Sequence, residues 1–213
     1  MIILASGSPR RRELLASAGV TCHILRVDID ETPKADELPT EYIARMVAAK
    51  ADAAVQALQD DPALLTASKP PQDNTQIILT ADTIGVLPDG RSVLIKPEDK
   101  DDAFAMWQKM SGMQHQVWTA VQATQVKHAD DGSISVINTV NILEKTDVQF
   151  VTLNDIMMTN YWQSGEPHDK AGGYAIQGGA AAWVERIDGS YTNVVGLPLA
   201  QTLAMLHRLG YSA

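Results

Sequence analysis

Leu4-Ala5-Ser6-Gly7-Ser8-Pro9-Arg10-Arg11-Arg12-Glu13-Leu14-Leu15 reads as the end of a strand, a turn and the start of a helix. The apolar run from Met1 to Ala5 predicts a short buried strand. Ser6-Gly7-Ser8-Pro9 turns the chain, with Ser8 suited to the N-cap and Pro9 to the first helical position. Arg10, Arg11 and Arg12 then fall in the first helical turn, where the helix dipole favours Asp or Glu instead. The mismatch turns favourable if a polyanion docks there, because backbone N–H groups and guanidinium forks share its oxygens. A phosphate-binding strand–turn–helix is one reading, and a basic patch on a surface helix is the other.

Composition narrows the choice. The chain has 213 residues, 45% of them hydrophobic and 20% charged, which is enough for one domain with a sizeable core. A single domain over residues 1–213 is expected. Net charge is −9, which argues against binding duplex nucleic acid through a general field, so cations for a phosphorylated ligand must be concentrated locally. No apolar run is long enough to span a bilayer, and Met1 to Ala5 is too short for a signal-peptide core. The single Cys22 reads as a small core residue. A cytoplasmic protein is expected.

Outward from the first motif, helix 8–18 ends at Gly19, and 21–29 reads as a strand before the acidic turn Asp28-Ile29-Asp30-Glu31-Thr32-Pro33. Thr40 is a plausible N-cap for a helix from Glu41 to Gln59, with Ile43, Val47, Ala51, Ala54 and Leu58 at helical spacing. Lys50 falls near that apolar stripe; such a lysine often only lays its stem along the core. The stretch 60–75 reads as an inserted loop. Strands are expected over 76–87, 92–95, 114–127, 135–151 and 182–187, and helices over 99–110, 154–164 and 197–209. The Gly-rich stretch 166–179 lies between the helix over 154–164 and the strand over 182–187. Neither the Rossmann glycine fingerprint nor a Walker A lysine motif is present.

Asp82 is the second informative position, a carboxylate inside the apolar run 77–86. A buried, unpaired charge costs several kcal/mol, so Asp82 must be paired, bind a metal or face a ligand. Alternation puts Thr80, Asp82 and Ile84 on one face of that strand. Lys96, just past a strand end, would meet a phosphate as a mobile point charge. In Asp169-Lys170-Ala171-Gly172-Gly173-Tyr174-Ala175-Ile176-Gln177-Gly178-Gly179, the glycines permit close backbone approach and Gln177 offers both a donor and an acceptor.

Together these stretches resemble the Maf family of nucleoside triphosphate pyrophosphatases. The likeness rests on Ser6 to Leu15, Asp30-Glu31, Arg45 with Lys50-Ala51, Ala81-Asp82-Thr83, Lys96-Pro97, Ser111-Gly112, His115 with Thr119-Ala120-Val121, Ser164-Gly165-Glu166-Pro167, Asp169 to Gly178 and Gly189 to Pro198. It covers nearly the whole chain in order. The resemblance implies an ITPase-like α/β fold, with a bent mixed sheet, flanking helices and two lobes around a central cleft. It implies hydrolysis of a nucleoside triphosphate to the monophosphate and pyrophosphate with a divalent cation, Mg²⁺ or Mn²⁺, in a homodimer. The Ala-Asp-Thr and Asp-Lys-Ala-Gly-Gly-Tyr signatures look like the branch acting on dTTP and UTP. By motif position Asp82 is the proton acceptor, and Arg10, Thr83 and Gln177 govern substrate choice. Ser6, Arg11, Glu31, Lys50 and Lys96 hold phosphates or metal, with Asp82 and Glu31 as the metal carboxylates. The different-class alternative is a nucleotide-binding regulator of septum formation with little turnover. This chain departs from the pattern at Ile95, where the family usually has Gly, and at Gly85, where an apolar residue is common.

Overall fold

The computed structural model describes residues 2–61, 64, 74–129 and 131–211. In chain order the elements are β1 (Ile2–Leu4), α1 (Pro9–Ser17), β2 (Cys22–Ile24), α2 (Pro39–Asp60), β3 (Thr75–Val86) and β4 (Val93–Leu94). They continue with α3 (Lys100–Met110), β5 (Gln114–His128), β6 (Ile134–Phe150) and α4 (Asp155–Gln163). Three 3₁₀ turns (Glu166–Asp169, Ala171–Gly173, Gly179–Trp183) precede β7 (Val184–Asp188), α5 (Tyr191–Val195) and α6 (Leu199–Arg208). The described strands form a seven-stranded mixed sheet in the order β2-β1-β3-β5-β6-β7, with β4 paired to β3. β1 runs parallel to β2 and β3, whereas β3–β4 and β6–β7 are antiparallel. Flanking helices on a mixed sheet match the expected α/β class.

The chain divides into two compact units. One comprises Met1–Asp82, Ala120–Leu143 and Gly196–Ala213; the other comprises Thr83–Thr119 and Glu144–Val195. In the first, β1 is apolar at every position because both of its faces are covered. Ile2 and Leu4 pack with Leu15, Val20, Leu197, Met205 and Leu206, on the side of α1 and α6. Ile3 and Ala5 pack with Ala54 and Leu58 of α2. β3 repeats the alternation: Leu79 and Ala81 join the α1/α6 side, and Ile78 joins the α2 side. The second unit has an aromatic core, in which the Trp107 ring centroid lies 5.0 Å from Trp183 and 5.7 Å from Tyr161.

Several boundaries differ from the sequence reading. The strand expected over 21–29 is only Cys22–Ile24, because β2 pairs solely with the three-residue β1. Ser8 stands at the N-cap of α1 but makes no side-chain cap; Ser6 Oγ accepts the Ser8 N–H instead, at 3.2 Å. Helix α2 starts at Pro39, not after Thr40, because Glu41 reaches back to accept the Leu38 N–H at 3.1 Å. Asn154 and Asp99 cap α4 and α3 through Met157 N–H and Asp102 N–H, each at 2.9 Å. The Gly-rich stretch forms 3₁₀ turns, and a short helix, α5, lies ahead of the expected final one. Most of the inserted loop expected over 60–75 lies outside the described residues. Cys22 is half-buried, and burial pushes its thiol up from the ordinary value.

Candidate active site

Parallel pairing matches Leu4 with Leu79, and the Ala5 N–H donates to Leu79 O at 2.9 Å. Three residues onward on each strand lie Gly7, in the turn before α1, and Asp82. Asp82 thus lies within β3, on the stretch that continues past the carboxyl end of β1, and such ends are where open α/β sheets carry ligands.

Asp82 lies on the α2 side of β3, two residues beyond Thr80. The Thr80 side chain is fully buried, and its hydroxyl donates to the Val47 carbonyl at 3.0 Å. That bond ties β3 to α2 three residues before Lys50. Lys50 Nζ then donates to Asp82 Oδ1 at 2.6 Å and meets Glu31 Oε1 at 2.9 Å. Its side chain is only 13% exposed, so the amine is committed to the two carboxylates and not merely lifted into water. The Asp82 contact is the stronger of the two, since its carboxylate is only 15% exposed while that of Glu31 is 53% exposed and screened by water.

Arg11 is the inward-facing member of the arginine triplet. Its Nε donates to Gly196 O at 2.8 Å and its Nη1 to Ser6 Oγ at 3.1 Å. Burial lowers its pKa below the ordinary value, a shift that the charges of Asp82 and Glu31 oppose and Arg10 reinforces. Arg10 is half-buried. Arg12 is exposed and acts electrostatically on Cys22, so the triplet is not a uniform phosphate grip. Ser6, Arg10, Arg11, Glu31, Lys50 and Asp82 therefore all belong to the first unit, and Lys50, Asp82 and Glu31 meet directly.

Thr83, Lys96 and Gln177 belong to the second unit. Thr83 Oγ1 is 2.9 Å from Thr119 Oγ1, and Thr119 donates to Asn193 O at 3.2 Å. A hydroxyl has one proton, so Thr119, having spent its own on Asn193, must receive one from Thr83. Thr83 is thereby the donor in that bond. Asn193 is buried and clamped in turn, its Nδ2 donating to Val117 O and to Thr146 Oγ1, each at 2.9 Å. Asn193 is not among the residues singled out from the sequence; an asparagine between Gly189 and Gly196 is the local signal there.

Gln177 is exposed, between the buried Ile176 and the half-buried Gly178. Its stretch is braced at three places. The Gly172 N–H donates to Ile95 O at 2.8 Å, so the unusual Ile95 contributes its carbonyl while its side chain stays exposed. Glu166 Oε2 accepts the Gly179 N–H at 2.9 Å, and a Cβ at Gly178 would collide with that carboxylate. Tyr174 is buried with its hydroxyl 2.7 Å from His115 Nε2. Lys96 is exposed. The other departure, Gly85, has a packing cause: it pairs with Leu94, whose Cδ1 occupies the space a Cβ would need.

The chain matches the Maf family, described as Maf-like protein, over residues 1–209. It is similar to the dTTP/UTP pyrophosphatase of Psychrobacter arcticus, with 57% identity over an alignment taking in 100% of this chain and 96% of the relative. The protein of that name from Psychrobacter cryohalolentis is 55% identical, with 98% and 96% covered. The one from Pseudoalteromonas atlantica is 44% identical, with 98% and 97% covered.

His115 supplies a pH test of the brace. Burial pulls its pKa down to about 4, against 6.5 ordinarily. The unfolded chain therefore takes up this proton first, and stability contributed above pH 6.5 is lost as pH falls toward 4. The loss is about 3 kcal/mol at most. Denaturant midpoints at about pH 7 and about pH 4.5 are expected to lie closer together in His115→Gln than in the parent; equal acid sensitivity would exclude His115 as the cause.

Proposed function

This chain belongs to the Maf family, and from that premise we propose that it hydrolyses dTTP and UTP to the monophosphate and pyrophosphate. The observation that carries the reading is Lys50 bridging Asp82, within β3, and Glu31, in the interaction range of the buried Arg11. Cations suited to phosphate oxygens stand next to a carboxylate suited to a proton. Asp82 orients a water whose oxygen bonds to the α-phosphorus while its proton passes to the carboxylate. The bond from α-phosphorus to the bridging oxygen breaks, and pyrophosphate departs with that oxygen. Ser6, Arg10, Arg11 and Lys50 hold the phosphates and take up the charge that grows on the leaving group. Lys96 is assigned the same task on family resemblance.

The donor set fits a hard divalent cation that arrives with the triphosphate. Asp82 and Glu31 offer carboxylate oxygens, and among the described residues no cluster of three or more His, Cys, Asp and Glu forms a complete cage. Mg²⁺ is characteristically held by one or two carboxylates, with phosphates and water completing its shell. When bound, such a cation offsets phosphate charge and favours attack at phosphorus.

Base choice is assigned to Thr83 and Gln177, with Arg10. Thr83, its proton committed to Thr119, suits the N3–H of uracil or thymine and not the bare N3 of cytosine. A homodimer is part of the same proposal. Residues 132–143 carry no charge in a chain of net −9, and Val136, Ile137 and Leu143 are exposed there, which suits contact with a second, like-charged copy. Sedimentation is expected to give twice the chain mass and Ile137→Lys the monomer; a monomeric parent would overturn this. No helix among the described residues is long and apolar enough to cross a membrane. We place the protein in the cytoplasm, where the lone Cys22 remains a thiol; cell fractionation checks this.

Pyrophosphate release is expected from UTP and dTTP with Mg²⁺ or Mn²⁺ and not with a chelator. Asp82→Asn should lower kcat by about 10²–10⁴-fold while the protein still folds, and near-parental turnover would remove Asp82 from the reaction. Tight nucleotide binding without turnover in the parent would favour the regulator. Thr119→Val frees the Thr83 proton, and Gln177→Ala removes a base contact. Each is expected to narrow the UTP-over-CTP ratio of kcat/KM, and unchanged ratios would refute the assignment.

A further inference from the structure

Glu31 meets Lys50 although nothing apolar pins its stretch of chain: every side chain from residue 30 to 36 is exposed. The bonds that anchor it come from the first turns of α2. Tyr42 Oη donates to the Glu31 carbonyl at 3.0 Å, and Arg45 Nη2 donates to the next carbonyl, that of Thr32, also at 3.0 Å. Spaced three residues apart, Tyr42 and Arg45 share one helix face, with the Arg45 guanidinium carbon 5.5 Å from the Tyr42 ring centroid. Arg45 also forms a two-pronged pair with Glu37, Nε to Oε1 and Nη2 to Oε2, each at 2.6 Å. Glu37 Oε2 in turn accepts the Lys34 N–H at 3.0 Å. The grip therefore engages the loop on both sides of Pro33.

We propose that Tyr42 and Arg45 are positioning residues that clasp the consecutive carbonyls of Glu31 and Thr32 and so aim the Glu31 carboxylate at Lys50 beside Asp82. The inference rests on the pyrophosphatase reading for its kinetic consequence and on geometry for its structural one. Both gripping groups keep their protonation over the working pH range. Burial and the charges of Asp82 and Glu31 push the Tyr42 phenol up to about 12, so it remains a donor. The Arg45 bond draws Glu37 down to about 2, so the fork stays ionic. Because the clasp acts on Glu31, its loss weakens capture of the metal–triphosphate and leaves the Asp82 proton step largely intact.

Tyr42→Phe keeps the ring and deletes the donor. It is expected to raise KM for UTP, and the metal concentration for half-maximal turnover, by about three- to tenfold, with kcat changed by less than about threefold. In a Glu31→Gln background the same substitution should add nothing, because the group it aims is already gone. Equal fold-changes in the two backgrounds, or a fall confined to kcat, would overturn the proposal. Hydrogen exchange over residues 28–38 is read on the same variants without substrate and is expected to quicken in Tyr42→Phe and Arg45→Gln, with α2 unchanged. Undisturbed exchange there would overturn the clasp whether or not the protein turns over nucleotide, whereas absent turnover with quickened exchange would overturn only the pyrophosphatase reading.

Discussion

One ammonium between two carboxylates organises the first unit. Lys50 meets Asp82 at 2.6 Å and Glu31 at 2.9 Å, and removing the ammonium would leave two neighbouring carboxylates without their shared counter-charge. The contact exists because α2 lies along the face of β3 that bears Ile78, Thr80 and Asp82. Ala54 and Leu58 bury against Ile78, Thr80 is tied to Val47, and Lys50 reaches Asp82. Apolar burial sets the helix down, one hydroxyl fixes its height, and the ion pair follows.

The second unit meets a different constraint, since its polar groups lie among packed aromatic rings. Partners are supplied to His115 Nε2 by Tyr174, to the Trp107 N–H by the Gly172 carbonyl and to Asn193 Nδ2 by Val117 and Thr146, whereas His115 Nδ1 and Asn193 Oδ1 are buried without one among the described residues. The glycines make that satisfaction geometrically feasible. Gly172 and Gly173 take positive φ, and a side chain at Gly178 would displace the carboxylate that holds the Gly179 N–H. The direction of the proton in the Thr83–Thr119–Asn193 series is a consequence of this satisfaction, because a carbonyl at its end accepts and never donates.

Much of this was legible in the residues. A carboxylate in an apolar run has to be paired, bind a metal or face a ligand, and Asp82 is paired with Lys50. The β1 run is apolar throughout because it is covered on both sides, which periodicity reads directly. Other features stayed hidden because they depend on partners distant in sequence. Lys50 looked like a stem along the core until Asp82, 32 residues on, supplied its counter-charge. Tyr42 carried no local signal, because its role lies in the main-chain carbonyl of Glu31. The arginine triplet reads from sequence as either a phosphate-binding turn or a surface basic patch; packing turns Arg11 inward and leaves Arg12 outside.

The amino-acid sequence by itself determined the strand–turn–helix opening, the alternation of β1 and β3, the glycine turns and the identity of the chemically able groups. All of these follow from short-range sterics and hydrophobic periodicity. Only the tertiary structure decided which of those groups meet. The Asp82–Lys50–Glu31 bridge, the inward Arg11 and the donor role of Thr83 toward Thr119 depend on hydrogen bonds and charge pairs between residues far apart in the chain, and their angstrom-scale geometry is set by packing.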